Sequence, residues 1–202
     1  MKILVRLPNW LGDMVMASGL INALPQFFPG SEVSVIVKKG LQDLVSFLPG
    51  IKNVYVFDKE KNKGILGAFS FGRMLKQKDN YDLFICLPDS LSSAMMAKGS
   101  GAKKRIGYKK EGRNILLTQS FTKPIGQHRV EEYFSLVEDY TGKKIPDKKV
   151  QWHHSFSKKE FIVININSEA SSRRLTVEKA VEIINYINLS CGKPIVLIGS
   201  PK

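Results

Sequence analysis

The sequence predicts an α/β fold in which helices cover both faces of a parallel sheet. Two observations along the 202 residues support this prediction. Short runs of β-branched and apolar residues recur along the chain. Several segments between them repeat apolar residues at steps of three and four, which places those residues on one face of a helix. Strands that alternate with amphipathic helices form βαβ units, whose successive strands run parallel.

The strand prediction covers six short runs. They are residues 3–7, 33–37, 54–57, 83–87, 161–166 and 195–198. None approaches the roughly 20 apolar residues that a helix needs to cross a bilayer.

Three helices follow from the apolar spacing and from residues that end helices. The first is predicted from about residue 14 to residue 28, because Pro29-Gly30 stops it. The second follows His128 and is expected to end at Gly142, since glycine readily adopts the left-handed conformation that closes a helix. The third begins near Thr176.

The chain divides in the polar, lysine-rich segment that follows the second helix. We predict one domain over residues 1–145, a linker over 146–160 and a second α/β unit over 161–202. A lone strand–helix–strand unit of about 40 residues is below the size that normally folds by itself. The second domain is therefore expected to be incomplete in this sequence, so that either the sequence is a fragment or this unit packs as an appendage on the first domain.

Composition and charge narrow the class of protein. With 43% hydrophobic and 24% charged residues, the chain resembles an ordinary globular protein that can bury a core. Its formal net charge of +13 favours anionic partners such as phosphorylated sugars, nucleic acid or an acidic membrane surface, without choosing among them. Because the basic residues are scattered, the charge alone favours a solvated lysine-rich surface over a dedicated binding patch.

Residues 7–14 (LPNWLGDM) join the first strand to the first helix and are the first candidate for a binding loop. Ligands of open α/β sheets bind beyond the carboxyl ends of the strands, which is where this loop lies. Gly12 allows a ligand or another backbone to approach closely. Asp13, at the helix start, can serve as a functional carboxylate or simply stabilise the helix N-terminus. The segment matches neither a phosphate-binding P-loop nor the G-x-G-x-x-G fingerprint of dinucleotide-binding folds.

Several segments together resemble the ADP-heptose:lipopolysaccharide heptosyltransferases, particularly their type II branch. They occur in the order and at the spacing of that family across nearly the whole chain. The segments are ILVR at 3–6, NWLGDM at 9–14, YDLFICLPDS at 81–90, SSA at 92–94, KRIGY at 104–108, QHRVEEY at 127–133 and SEASSRRL at 168–175.

This resemblance implies the N-terminal half of a GT-B fold, in which two Rossmann-like domains face a cleft. The N-terminal domain of that fold holds the acceptor and the C-terminal domain holds the nucleotide sugar. The family inverts the anomeric carbon as it transfers heptose from ADP-heptose to the inner core of lipopolysaccharide. Asp13 matches the family's general base, which a weakly nucleophilic sugar hydroxyl requires.

The resemblance also implies a set of residues that contact the acceptor. Their alternative roles from local sequence are turn and helix cap for Asp89 and Ser90, a surface or capping position for His128, and a partly buried aromatic for Trp10. The expected acceptor-binding residues are Asn9, Trp10, Gly12, Asp89, Ser90 and His128.

On the donor side, the resemblance assigns Ser168 and Arg173 to the phosphates of ADP. The family commonly shows Lys-x-Trp-Pro where this chain has Arg173-Arg174-Leu175-Thr176, so the donor fit departs from the pattern. A solvated basic turn before the third helix is the alternative. Cationic side chains can balance the departing ADP, and neither a metal nor a cofactor is expected. His153 and His154 lack further ligands at metal spacing.

The implied location is the cytoplasmic face of the inner membrane, where a positive surface suits a membrane-held phosphorylated acceptor. The chain as given is expected to have little turnover without the rest of the donor domain.

A basic α/β module that binds acidic glycans or nucleic acid is the alternative from another class. No helix-turn-helix, RRM, KH or zinc-finger pattern supports specific nucleic-acid binding. A related transferase that uses another nucleotide sugar is a second alternative.

Overall fold

A computed structural model describes residues 1–110, 112–154, 157–166 and 174–199. Residues 1–154 form one compact unit around a six-stranded sheet. All neighbouring strands pair in parallel, in the order β3-β2-β1-β4-β5-β6. The strands are β1 (Lys2–Arg6), β2 (Glu32–Lys38), β3 (Ile51–Phe57), β4 (Leu83–Cys86), β5 (Lys104–Tyr108) and β6 (Gln119–Phe121).

Helices cover both faces of this sheet, as the fold prediction requires. On one face α1 (Leu11–Phe27) and α4 (Arg129–Thr141) pack over Ile3 and Val5 of β1. On the other face α2 (Gly64–Lys78) and α3 (Leu91–Gly99) pack over Leu4. Neighbouring residues of β1 thus enter different cores, because side chains of a strand alternate between its faces. Short 3₁₀ helices at Gln42–Phe47 and Arg113–Leu116 complete the unit.

Residues 145–154 belong to the first unit and pack against its other residues. Ile145 is buried, and the Trp152 ring packs 5.6 Å from that of Phe47. The N–H of His153 donates to the carbonyl of Phe47. This segment therefore adds to the first unit, whose boundary with the second lies between residues 154 and 155.

The second unit contains two parallel strands and one helix within its described residues. β7 (Ile162–Asn165) pairs with β8 (Ile195–Ile198), and α5 (Val177–Cys191) connects them. Large apolar side chains remain exposed here. They are Phe161, Val163, Leu175, Val177, Val181, Tyr186, Leu189, Val196, Leu197 and Ile198.

The structure contains the predicted strands and helices, and their ends differ from the predicted ones by a few residues. The first helix ends at Phe27, one residue before the predicted end, while Gly142 closes α4 in the left-handed conformation and Thr176 caps α5. The spacing analysis did not predict α2, α3, β5, β6 or the short 3₁₀ helices. The α/β fold itself is confirmed, with a parallel sheet between two helical layers.

Candidate functional site

The strand order places a crevice between the carboxyl ends of β1 and β4. From β1 the chain builds the sheet outward through β2 and β3, and then returns to the other side of β1 with β4. The loops after β1 and β4 therefore diverge to opposite faces, and ligands of open α/β sheets bind in the crevice that results. A cavity of about 390 Å³ opens there, which we call the switch-point cavity. It is lined by Pro8, Asn9, Trp10, Asp13, Leu87, Pro88, Asp89, Ser90, Leu91, Lys110, Arg129 and Tyr133.

Asp13 lies in the first turn of α1 and lines this cavity. Trp10 occupies the N-cap position, and its side chain forms no capping hydrogen bond. Asp13 therefore does not cap the helix, although its charge complements the positive end of the helix dipole. Its side chain is 27% exposed, and the nearest charge is the Arg129 guanidinium, whose Nε lies 3.8 Å from Oδ1. The carboxylate thus faces the cavity with an ion-pair partner beyond hydrogen-bond distance.

Asp89 reaches the cavity from the loop after β4. Lys123 Nζ donates to its Oδ2 over 2.8 Å, and Arg113 Nη1 lies 3.9 Å from its Oδ1. Arg113 is fully buried and donates to the carbonyl of Pro88 over 2.8 Å. A buried guanidinium thereby fixes the turn that carries Asp89.

An alternating series of charges links the two carboxylates of the cavity. Arg129 binds Glu132 over 2.6 Å, and Lys123 bridges Glu132 at 3.1 Å and Asp89 at 2.8 Å. The series runs Asp13, Arg129, Glu132, Lys123, Asp89. Burial disfavours the charge on Arg129, but the fields of nearby acidic groups, chiefly the Glu132 and Asp13 carboxylates, outweigh it and raise the pKa of Arg129.

Tyr133 is buried at the wall of the cavity. Burial, followed by the field of Asp13, raises the pKa of this phenol. Tyr133 therefore stays protonated at neutral pH and can donate a hydrogen bond into the site.

Arg6 supports the loop after β1 from below. Burial lowers the pKa of its guanidinium to about 10. Nη1 donates to the carbonyls of Leu7 and Ile36, and Nη2 donates to Oδ1 of Asn9. These bonds join the ends of β1 and β2 and fix the Asn9 side chain at the cavity wall.

The remaining predicted acceptor residues have distinct surroundings. Trp10 is 55% exposed at the cavity rim, with Lys38 Nζ 5.2 Å from its ring centroid. Ser90 caps α3 by accepting the N–H of Ser93, and it also lines the cavity. Gly12 has open space where a side chain would begin. His128 is exposed and caps α4 through Nδ1, which accepts the N–H of Val130.

The structure thus brings Asn9, Trp10, Asp13, Asp89 and Ser90 together in one cavity. His128 lies beside it, next to Arg129. Ser168 and Arg173, the predicted phosphate-binding residues, lie outside the described residues. Within the described parts of the chain, no group of three or more His, Cys, Asp or Glu side chains is arranged to hold a metal ion.

Sequence reasoning did not single out Arg129, Glu132, Tyr133, Lys123 or Arg113. The signal for the first three was available, because positions 129, 132 and 133 share one helix face in the segment QHRVEEY. Lys123 and Arg113 lie in irregular segments, where spacing predicts no direction for a side chain.

None of the helices that the structure describes has both the length and the apolar composition needed to cross a membrane.

The family model described as Glycosyltransferase family 9 (heptosyltransferase) matches residues 68–177. Lipooligosaccharide heptosyltransferase 2 of Haemophilus ducreyi is 30% identical over 149 residues, which are 73% of this chain and 42% of that protein. Lipopolysaccharide heptosyltransferase 2 of Escherichia coli is 30% identical over 142 residues, which are 69% of this chain and 40% of that protein. The chain thus spans about two fifths of these relatives.

Solved structures share the fold at lower identity. A glycosyl transferase of family 9 from Veillonella parvula superposes with a TM-score of 0.82 at 19% identity, covering 99% of this chain and 63% of that one. E. coli heptosyltransferase WaaC, solved with ADP-2-deoxy-2-fluoro heptose, gives a TM-score of 0.80 at 17% identity, covering 100% of this chain and 70% of that one.

Proposed function

Because the chain belongs to glycosyltransferase family 9, the heptosyltransferase family, we propose that it forms the acceptor-side part of an inverting heptosyltransferase. The enzyme transfers heptose from ADP-heptose to the inner core of lipopolysaccharide. The relatives that carry the names lipooligosaccharide and lipopolysaccharide heptosyltransferase support the transfer of heptose and this acceptor class. The reaction takes place at the cytoplasmic face of the inner membrane, where the acceptor is held by its lipid and the net charge of +13 favours contact with anionic headgroups.

Asp13 acts as the general base in this proposal. The acceptor hydroxyl oxygen attacks the anomeric carbon of heptose, its proton passes to the Asp13 carboxylate, and the bond to the ADP phosphate breaks with its electron pair on ADP. The observation that supports this role is the position of Asp13, a partly exposed carboxylate in the switch-point cavity without a capping hydrogen bond in its helix. A base needs this access, because it must reach within hydrogen-bond distance of the hydroxyl.

The acceptor binds around the same cavity. Asn9 and Ser90 offer neutral hydrogen-bonding groups, Asp89 accepts from sugar hydroxyls, and the exposed Trp10 ring stacks on a sugar face. Gly12 leaves open space at the start of α1, through which an acceptor can approach Asp13. His128, exposed beside Arg129, contacts the acceptor at the edge of the site.

The donor contacts belong to the second unit. Ser168 and Arg173 bind the phosphates of ADP-heptose, and the arginine stabilises the negative charge that develops on the departing ADP. This assignment rests on the resemblance of residues 168–175 to the donor loop of the family.

The proposal is tested by measuring ADP release from ADP-heptose by the full-length enzyme that contains this sequence. The acceptor is lipopolysaccharide from a heptose-deficient strain, and the anomeric configuration of the new bond is read by NMR. We expect ADP release that depends on the acceptor and a product of inverted configuration. Nucleotide release that occurs only with another nucleotide sugar contradicts the donor assignment. A product in which the anomeric configuration is retained contradicts the inverting mechanism.

The salt dependence of binding distinguishes the alternative function, a polyanion-binding module, from the transferase. Non-specific polyanion binding weakens steeply as salt rises, because counterions are released on binding. If the folded full-length protein releases no ADP and binds nucleic acid or acidic glycans with a steep salt dependence, the transferase proposal is wrong.

A further inference from the structure

The Arg129 guanidinium lies between two carboxylates, within hydrogen-bond distance of one and beyond that distance from the other. Its Nη1 donates to Oε2 of Glu132 over 2.6 Å, one turn along α4, whereas its Nε lies 3.8 Å from Oδ1 of Asp13. The contact with Glu132 is a charge-assisted hydrogen bond. The contact with Asp13 is an attraction between charges without a hydrogen bond. The guanidinium is thus held by Glu132 and only attracts Asp13.

Glu132 is fixed by more than this one contact. Lys123 binds the same Oε2 at 3.1 Å, and the carbonyl of Glu132 accepts a hydrogen bond from the Tyr108 hydroxyl. The side chain of Glu132 is 13% exposed, whereas that of Arg129 is 39% exposed. Glu132 is therefore the anchored member of the pair, and Arg129 is the member that can move.

The distance between Arg129 and Asp13 matters for a base. A guanidinium that formed two hydrogen bonds to Asp13 would occupy both oxygens and stabilise the ionised carboxylate, which weakens its ability to take a proton. Without any nearby cation, the carboxylate would lose the charge that helps to orient it. A guanidinium held just beyond hydrogen-bond distance avoids both conditions.

We propose that Arg129 and Glu132 are positioning residues for Asp13. Glu132 retains the Arg129 guanidinium at a distance from which it orients the Asp13 carboxylate and leaves both oxygens available to the acceptor hydroxyl. This inference rests on the proposed role of Asp13 as the base. Other titratable or charged groups face the same space from the surrounding elements. They are Tyr133 on α4, Asp89 after β4, Lys110 after β5 and Lys123 after β6.

The test is the pH dependence of kcat/KM for the full-length enzyme, with ADP-heptose and the heptose-deficient acceptor. In Glu132→Gln the guanidinium loses its anchor and moves onto Asp13, so we expect a lower kcat and an acidic limb that shifts to lower pH. In Arg129→Met the attraction is removed, and we expect the acidic limb to shift in the opposite direction, to higher pH. Arg129→Lys keeps a cation and should restore the limb towards the parent position.

Glu131→Gln is the matched control. Glu131 is the neighbouring glutamate on α4, but it pairs with Lys148 and is 45% exposed. Its profile should match that of the parent enzyme. Limbs that stay in place in both Glu132→Gln and Arg129→Met, or that shift in the same direction, overturn the inference.

Asp13→Asn separates this inference from the function on which it rests. If Asp13→Asn retains turnover, the base assignment fails whatever the other profiles show. If Asp13→Asn loses turnover and the limbs of the Arg129 and Glu132 variants do not move, only the positioning role fails. Thermal unfolding of each variant verifies that turnover is compared between folded proteins.

Discussion

Glu138 shows how one buried charge attaches residues 144–148 to α4. Its side chain is 1% exposed, accepts the N–H of Ile145 over 3.1 Å and pairs with Lys148 at 3.1 Å and Lys144 at 3.3 Å. Burial alone would raise the pKa of Glu138, but these hydrogen bonds outweigh it and place the pKa below its usual value of 4.5. The ionised carboxylate therefore stabilises the fold.

We expect Glu138→Gln to lower the free energy of unfolding by about 1–3 kcal/mol at pH 7, because the amide leaves buried hydrogen-bonding groups unpaired. A depressed pKa contributes stability that is present above the unfolded value and is lost as pH falls through the folded value. The difference between parent and variant should thus shrink as the pH falls below the ordinary carboxyl value of 4.5. Urea unfolding at neutral pH and at an acidic pH below 4.5 measures this difference in the free energy of unfolding. The exposed Glu131→Gln should change the free energy of unfolding by less than about 1 kcal/mol. Equal losses in the two variants would contradict this account.

At the scale of elements, glycines set how closely α2 and α3 pack. A Cβ on Gly72 would lie 2.3 Å from the carbonyl oxygen of Met96, and one on Gly99 would lie 2.3 Å from that of Phe69. Both obstacles are backbone atoms, which a rotamer change cannot move. The two helices therefore meet at a distance that only glycine permits.

We expect Gly72→Ala to destabilise the protein by about 1–3 kcal/mol, because the added methyl group forces the helices apart. Gly12→Ala is the matched control within α1, since a Cβ there meets nothing within 4 Å. Alanine favours the helix over glycine by up to about 1 kcal/mol, so the control should be neutral or slightly more stable. Urea midpoints compare the two, and a neutral Gly72→Ala would show that the helices separate without cost.

These elements also show how far the sequence predicts the structure. The buried strands β1, β2 and β4 are predicted because each coincides with a short run rich in apolar residues, although Arg6 and Ser34 interrupt the first two runs. The spacing does not predict α2, because Gly64, Gly67 and Gly72 lower its helix propensity. Gly72 also permits the close packing of α2 against α3. β6 has only three residues, too few for a pattern.

The candidate site likewise contains residues that the sequence predicts and contacts that only the structure shows. Asp13 and Asp89 are predictable because both follow strands whose carboxyl ends meet at one edge of the sheet. The approach of Arg129 to Asp13 joins residues far apart in the sequence, so only the tertiary structure reveals it.

At the scale of the whole molecule, the parallel strand order connects the fold to the proposed chemistry. The switch point between β1 and β4 brings a loop from each half of the sheet to one cavity. The proposed acceptor site therefore lies within a single compact unit, residues 1–154. The second unit carries the predicted donor loop and leaves apolar side chains of α5 exposed, including Tyr186 and Leu189.

The measurement that tests the central claim most directly is turnover of the full-length enzyme with Asp13→Asn. Asparagine keeps the size of the side chain and cannot take the proton of the acceptor hydroxyl. General-base catalysis contributes about 10²–10⁴-fold, so we expect kcat to fall by that factor with the unfolding temperature little changed. Asp147→Asn, at an exposed ion pair with Lys149, should retain the parent rate. An Asp13→Asn variant that turns over at the parent rate would show that Asp13 serves the helix and not the reaction.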